Sequence, residues 1–351
     1  MRNAFFMLAR TAPVVCFFVV ILGAWVRLTD AGLGCPDWPG CYGVLTVPQT
    51  EEQLARAEQF RPDRAVDIGA AWREMIHRYL AGILGLMTLA LAVLAIVNRR
   101  DPEQPVALPV GLLALIIFQS LLGMWTVTLL LKPLIVMLHL LGGLTTLGGL
   151  FLLARMARHT PRPPREGLGL RRLGIAGLAV LVVQIALGGW TSTNYAALAC
   201  PDFPTCQTQW WPDMDFNEAF IMWRGLGVDY EHGILDGEAN TAIHMTHRIG
   251  AVIASAVLLW LATAALRRSD SRRVHRAAWL MTAALVAQVS IGILIVLYSL
   301  PLGLATAHNG MAALLLLAVI NLNFTLRRMP VDAIPAKSTP AGTASVSAAP
   351  A

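Results

Sequence analysis

Apolar residues in this chain come in long blocks separated by short polar stretches. Eight blocks stand out, at roughly 8–28, 75–97, 107–130, 133–154, 173–193, 243–266, 277–299 and 304–326. Crossing a bilayer takes about 20 predominantly apolar residues. Lipid offers no partner to backbone amides, so open segments of this kind are helices. The pattern predicts an all-α membrane protein with eight transmembrane helices. Composition agrees, with 56% of the 351 residues hydrophobic and only 14% charged, where soluble domains carry nearer a quarter charged. The first block is long, has Arg27 near its end and is followed by no small-x-small cleavage site. It reads as a retained helix rather than a signal peptide. The tail 329–351, rich in Pro, Ala, Ser and Thr, is expected to be disordered.

Charge sets the expected orientation. With the N-terminus in the cytoplasm and the loops assigned alternately, the cytoplasmic side holds 18 of the 27 Lys and Arg but 5 of the 21 Asp and Glu. This is the positive-inside pattern. It puts both termini in the cytoplasm and the long loops 29–74 and 194–242 outside, in the periplasm. The net charge of +6 then follows from topology. The arginines lie in short loops between spans, which argues against a nucleic-acid partner.

The chain also repeats. Gly23 to Cys41 reads GAWVRLTDAGLGCPDWPGC and Gly188 to Cys206 reads GGWTSTNYAALACPDFPTC; nine of nineteen positions are identical at an offset of 165. Met75-Ile-His77-Arg78 matches Met245-Thr-His247-Arg248 at 170, and Gln119, Gly123 and His139 match Gln288, Gly292 and His308 at 169. Such a repeat predicts two four-helix bundles. The expected units are 1–155, a basic cytoplasmic linker 156–172, 173–328 and the tail. Both halves hold an even number of spans, so an axis along the membrane normal should relate them.

Four histidines fall on this repeat. His77 and His247 are expected to open their spans, and His139 and His308 to lie one to two turns into theirs. Titratable side chains within spans are costly and mark function. Paired imidazoles across a helix bundle are the usual way to hold a heme iron from both sides, so two bis-histidine heme sites are expected. Zinc fits less well, since no Cys or paired carboxylate stands at ligand spacing nearby. His159, His232 and His275 fall in loops and look ordinary; the part played by His244, one turn before His247, is left open.

Three further features carry chemistry. Cys35/Cys41 and Cys200/Cys206 share a C-x5-C spacing in loops assigned to the oxidising side, which suits two disulfides, structural or redox-active. Cys16 reads as a small packed residue within the first span. Glu74 is one turn before His77 on the same helix face. It is either an interfacial ion pair with Arg73 or Arg78, or a proton-handling group beside a heme site. Its repeat counterpart is His244, and that of Arg27 is Ser192. The halves thus share ligands but differ around them, as one substrate site and one cofactor site would.

With these motifs in hand, the sequence up to about Arg328 resembles the heme A synthase family. The resemblance rests on the CPDWP loop, Glu74-Met-Ile-His77-Arg78, the second Cys loop, Met245-Thr-His247-Arg248, His139 and His308. It implies oxidation of a ring methyl of heme O to the formyl group of heme A, through a hydroxylated intermediate, for aa3-type terminal oxidases in a bacterial inner membrane. It implies that His77 and His139 receive heme O, that His247 and His308 hold heme b, and that Glu74 is the catalytic acid; the asymmetry of the halves makes Arg27 a candidate substrate contact. Implied partners are an electron acceptor of unspecified kind, the heme O synthase, oxidase assembly factors and, as a candidate, a second copy of the chain. The rivals are a diheme b electron-transfer subunit, disfavoured by ligands from two bundles at one depth, and a periplasmic thiol oxidoreductase, which leaves the histidines unexplained.

Overall fold

The computed structural model describes residues 2–60, 65–156 and 167–327, and among these the regular structure is helical. Eight long helices match the eight apolar blocks: α1 (Arg2–Leu28), α3 (Ile68–Val97), α4 (Ala107–Thr128), α5 (Pro133–Met156), α6 (Leu168–Thr193), α8 (Gly237–Arg268), α9 (Arg272–Leu297) and α10 (Leu302–Arg327). All eight are long and apolar enough to cross a membrane. The tail 329–351 and most of the linker lie outside the described residues.

The helices run longer than the apolar blocks that announce them. Helix α3 starts at Ile68, capped by Asp67, whose side chain accepts from Ala70 N; α8 starts at Gly237, capped by Asp236 in the same way. Thirty residues at about 1.5 Å each make a rod of ~45 Å, against a hydrocarbon core of about 30 Å. The excess length is taken up by tilt or projection; the first turns of α8, with Glu238, Asn240 and Thr241, are polar, whereas α3 begins Ile68-Gly-Ala-Ala-Trp and turns polar at Arg73 and Glu74. His77 and His247 lie more than two turns inside their helices rather than opening them. The long loops also hold two shorter helices absent from the sequence reading, α2 (Glu51–Phe60) and α7 (Phe216–Ala219). His275, expected in a loop, lies in the first turn of α9, and residues 168–172 belong to α6 rather than to a linker.

Helix neighbours follow one scheme. In the first half α1 packs on α3 and α5, α3 on α4, and α4 on α5; in the second, α6 packs on α8 and α10, α8 on α9, and α9 on α10. The halves meet where α1 and α5 touch α10 and α5 touches α6. A continuous core of Leu, Ala and Val runs through both. A second seam lies among the loops. Lys132, between α4 and α5 and 1% exposed, donates to the Gly225 carbonyl with its Nζ 3.7 Å from the centre of the Trp223 ring. Tyr230 N donates to Leu130 O at 3.1 Å. Burial pushes the Lys132 pKa below the usual lysine value, and the aromatic rings offset part of the desolvation cost.

Candidate functional site

Each of the four repeat-matched histidines sits against a glycine. A Cβ added at Gly23 of α1 would stand 2.8 Å from His77 Cε1, and one at Gly188 of α6 would stand 3.0 Å from His247 Cε1. Added at Gly123 and Gly292, it would lie 3.3 Å and 3.1 Å from the same atom of His139 and His308. Only glycine lets these helices approach the imidazoles so closely. The rings of His77 and His139 are near enough to interact electrostatically, as are those of His247 and His308. Nδ1 of His77, His139 and His308 is buried without a hydrogen-bond partner. Buried polar nitrogens are normally paired, so these rings are shaped for a ligand more than for the core. Among the described residues no group of three or more His, Cys, Asp or Glu could hold a bare metal ion. Two imidazoles suffice when a macrocycle supplies the other four nitrogens, so the donor set fits heme.

The two pairs differ in their surroundings. A cavity of about 1160 Å³ is lined by His77, His139, Glu74 and Arg27, and by neither His247 nor His308. Its wall is mainly apolar and reaches residues of α3 and α4 that face outward, including Leu86 and Ile117, 68% and 58% exposed. Cys16 is buried and also lines it. Around the second pair, Gln184 Nε2 lies 3.0 Å from His247 Nδ1 and donates to the His247 carbonyl, while Gln288 Nε2 lies 3.1 Å from His308 Nε2. The repeat counterpart of Gln288 is Gln119, whose amide instead donates to the His139 carbonyl at 2.8 Å.

Glu74 is buried, and both its oxygens have partners. Oε2 accepts from Cys35 N at 2.8 Å, and Oε1 pairs with Arg78. Of the two expected ion pairs, the structure forms the one with Arg78; Arg73 turns to Asp67 and the Trp25 ring. Arg78 also donates to the carbonyls of Asp37 and Gly40, at 2.9 and 2.6 Å. The loop they hold is closed by a Cys35–Cys41 disulfide, and Asp37 within it accepts from Tyr42 N and Gly43 N just beyond the bridge. The second loop is built alike, with a Cys200–Cys206 disulfide and Asp202 accepting from Gln207 N and Thr208 N. There His244 stands in for Glu74: Nδ1 lies 3.3 Å from Cys200 N and Nε2 3.3 Å from Arg248 Nε, and the neutral ring accepts from one of the two. Arg248 in turn donates to the carbonyls of Thr205, Asp202 and Cys200. The open part of His244 is thus a loop anchor.

Arg27 reaches across to the other half. It donates to Tyr195 Oη at 2.9 Å and to the carbonyl of Ser192, its own repeat counterpart, at 3.2 Å, and lies 4.1 Å from the Tyr195 ring centre. Sequence reasoning missed Tyr195, Gln184 and Lys132, which have no repeat signal. The four glycines did carry one: Gly123 recurs as Gly292 at the 169 offset of its histidine, and Gly23 recurs as Gly188 at 165, against 170 for its histidine.

The family described as cytochrome oxidase assembly protein matches residues 7–320, which hold all four paired histidines, Glu74 and both cysteine pairs. The heme A synthase of Shewanella oneidensis is 44% identical over 323 residues, covering 91% of this chain and 96% of that protein. The chain belongs to the heme A synthase family. More distant heme A synthases, from Rhizorhabdus wittichii and Shouchella clausii, are 27% and 28% identical over 88% and 85% of the chain and 89% and 88% of their own lengths. The resemblance therefore runs through both halves of the repeat, and a heme A synthase fold accounts for the chain as far as α10.

Proposed function

We propose that the protein is a multi-pass membrane heme A synthase that oxidises a ring methyl of heme O to a formyl group through a hydroxylated intermediate. The observation that carries this reading is the asymmetry of the two histidine pairs. One pair opens into a cavity roomy enough for a macrocycle, with a carboxylate in its wall; the other is held by glutamines and has none beside it. An exchanging substrate suits the first and a resident cofactor the second. His77 and His139 would take the substrate iron, and the outward-facing α3–α4 wall would let the farnesyl chain of heme O pass into lipid. His247 and His308 would hold heme b, which would supply one-electron transfer.

The chain's own residues do the rest. Gly23 and Gly123 let the imidazoles approach α1 and α4 closely through Cε1, fixing the depth of the substrate. The apolar wall surrounds the macrocycle, and the formyl oxygen is supplied by water reaching the methyl: methyl plus water gives hydroxymethyl, two electrons and two protons, and the second oxidation releases two more of each. Glu74 is the cavity's carboxylate, placed to accept a proton that each oxidation step releases, with Arg78 and Cys35 N holding it in position. An external acceptor, not named by these observations, must remove the electrons. We read the helix contacts as two four-helix bundles. The positive-inside bias puts the termini in the cytoplasm and the disulfide loops in the periplasm. The heme O synthase, oxidase assembly factors and a second copy of the chain remain candidate partners on the family resemblance.

The test is to express the protein in cells lacking their own heme A synthase and to separate the extracted hemes chromatographically. Heme A should appear with the parent chain and vanish with His77→Ala. Heme b alone at two per chain, with no heme A formed, would favour a diheme electron carrier instead.

A further inference from the structure

The charged residues lining the large cavity are Arg27, Glu74 and Arg78. Glu74 and Arg78 neutralise each other, and their remaining contacts go to the disulfide loop. Arg27 is different. Its nearest carboxylate is Asp30, 3.8 Å away, 51% exposed and outside the cavity wall, where screening leaves such a pair little strength. A guanidinium carries five N–H donors; here Tyr195 Oη and Ser192 O take two. Nε is buried without a partner. The Tyr195 ring lies 4.1 Å from Cζ, so stacking and two hydrogen bonds from the other half hold the plane of the fork while leaving donors at its edge. The cavity therefore presents one uncompensated, pre-oriented cation within a mainly apolar wall. A buried donor left unpaired is costly, and an arginine fork matches a carboxylate in geometry.

We propose that Arg27 is the carboxylate-docking point of this cavity, a subsite assembled across the seam between the halves from Arg27, Tyr195 and Ser192. It rests on the reading above that a porphyrin enters here, whose propionates are the carboxylates concerned. The subsite explains why the repeat breaks at this position, since Ser192 stands where Arg27 would recur. It also ties substrate register to the packing of one half on the other. One edge of the macrocycle is fixed at Arg27 while the iron is held by the imidazoles, which decides which ring methyl meets Glu74.

The test uses the full-length protein in detergent, with its resident heme in place, titrated with iron protoporphyrin IX and separately with its dimethyl ester. The His77-dependent low-spin spectrum reports binding. The parent should bind the diacid about 10–100-fold more tightly than the ester, the worth of one charge-assisted bond, and Arg27→Gln should remove that preference while ester binding stays unchanged. Equal affinity of the parent for both probes overturns the proposal, and so does an Arg27→Gln protein that still prefers the diacid. A resident-heme spectrum identical to the parent's shows that the variant is folded. If Arg27→Gln fails that check, the parent's diacid-to-ester ratio decides alone. If neither probe gives a spectrum that His77→Ala abolishes, the functional reading falls and takes this subsite with it. A normal His77-dependent spectrum without carboxylate preference sinks the subsite only.

Discussion

Two disulfide loops of the same pattern hang from two different side chains. In the first half a carboxylate, Glu74, accepts from Cys35 N and pairs with Arg78; in the second an imidazole, His244, lies between Cys200 N and Arg248 Nε and accepts from one of them. The mechanical task is the same, and either side chain performs it. The carboxylate is therefore not needed to hang the loop. Its second property is what sets it apart: it lines the cavity that His77 and His139 share, which His244 does not. One position of the repeat can serve as a loop anchor in both halves and line a cavity in only one.

The largest effects should separate the two histidine pairs. We expect His77→Ala and His139→Ala to abolish heme A formation while the resident low-spin heme b spectrum persists, and His247→Ala and His308→Ala to remove that spectrum from purified protein. If all four variants lost the same heme in the same proportion, the distinction between a substrate half and a cofactor half would fail.

Next comes the anchor itself. Glu74→His installs the second half's residue in the first. It should keep the loop, both hemes and folding, yet slow turnover by about 10²–10⁴-fold, the usual cost of losing a general acid–base group. Heme O or the hydroxylated intermediate should accumulate in cell extracts separated by chromatography. Undiminished heme A would make Glu74 an anchor and nothing more, equivalent to His244.

The disulfides should matter less. Replacing Cys200 and Cys206 by Ser opens a loop whose bridged positions are 6 apart. The chain-entropy cost of so short a loop is about 2 kcal/mol, read as a lower midpoint of heat-induced loss of the resident heme. Turnover at growth temperature should hardly change. A stable, heme-loaded double variant without activity would point to a redox role for the pair.

The smallest expected effect is a pH response of the second loop. The Thr205 hydroxyl, with the amides of Thr208 and Gln207, holds the Asp202 carboxyl below its usual range. A carboxylate with a depressed folded pKa stabilises above its unfolded value, and that contribution is lost as pH falls through the folded one. Limited proteolysis of the loop should therefore accelerate below about pH 4, the ordinary aspartate value. Asp202→Asn should abolish the pH step. A parent loop equally resistant on both sides of that range would refute it.

The helices and the placing of the candidate ligands were legible because their signals are local or recur at fixed offsets. Hydropathy over about 20 residues marks a span wherever it packs, and the repeat places four histidines and four cysteines without any knowledge of contacts. The helix start at Gly237 was missed because the first turns of α8 are polar and leave the hydropathy window, and that at Ile68 because Arg73 and Glu74 separate the Ile-Gly-Ala-Ala-Trp start of α3 from its apolar block, although Asp67 and Asp236 cap them. The glycines behind the imidazoles were visible as repeated letters, but their purpose is a distance between helices. Tertiary structure decided the rest: which arginine pairs with Glu74, the anchor role of His244, the cavity around one histidine pair, the crossing of Arg27 to Tyr195, and the burial of Lys132 against Trp223. These partners lie up to 168 positions apart. A side chain's reach is a few ångströms, so whether such residues meet depends on how helices stack, and no sequence window contains that information.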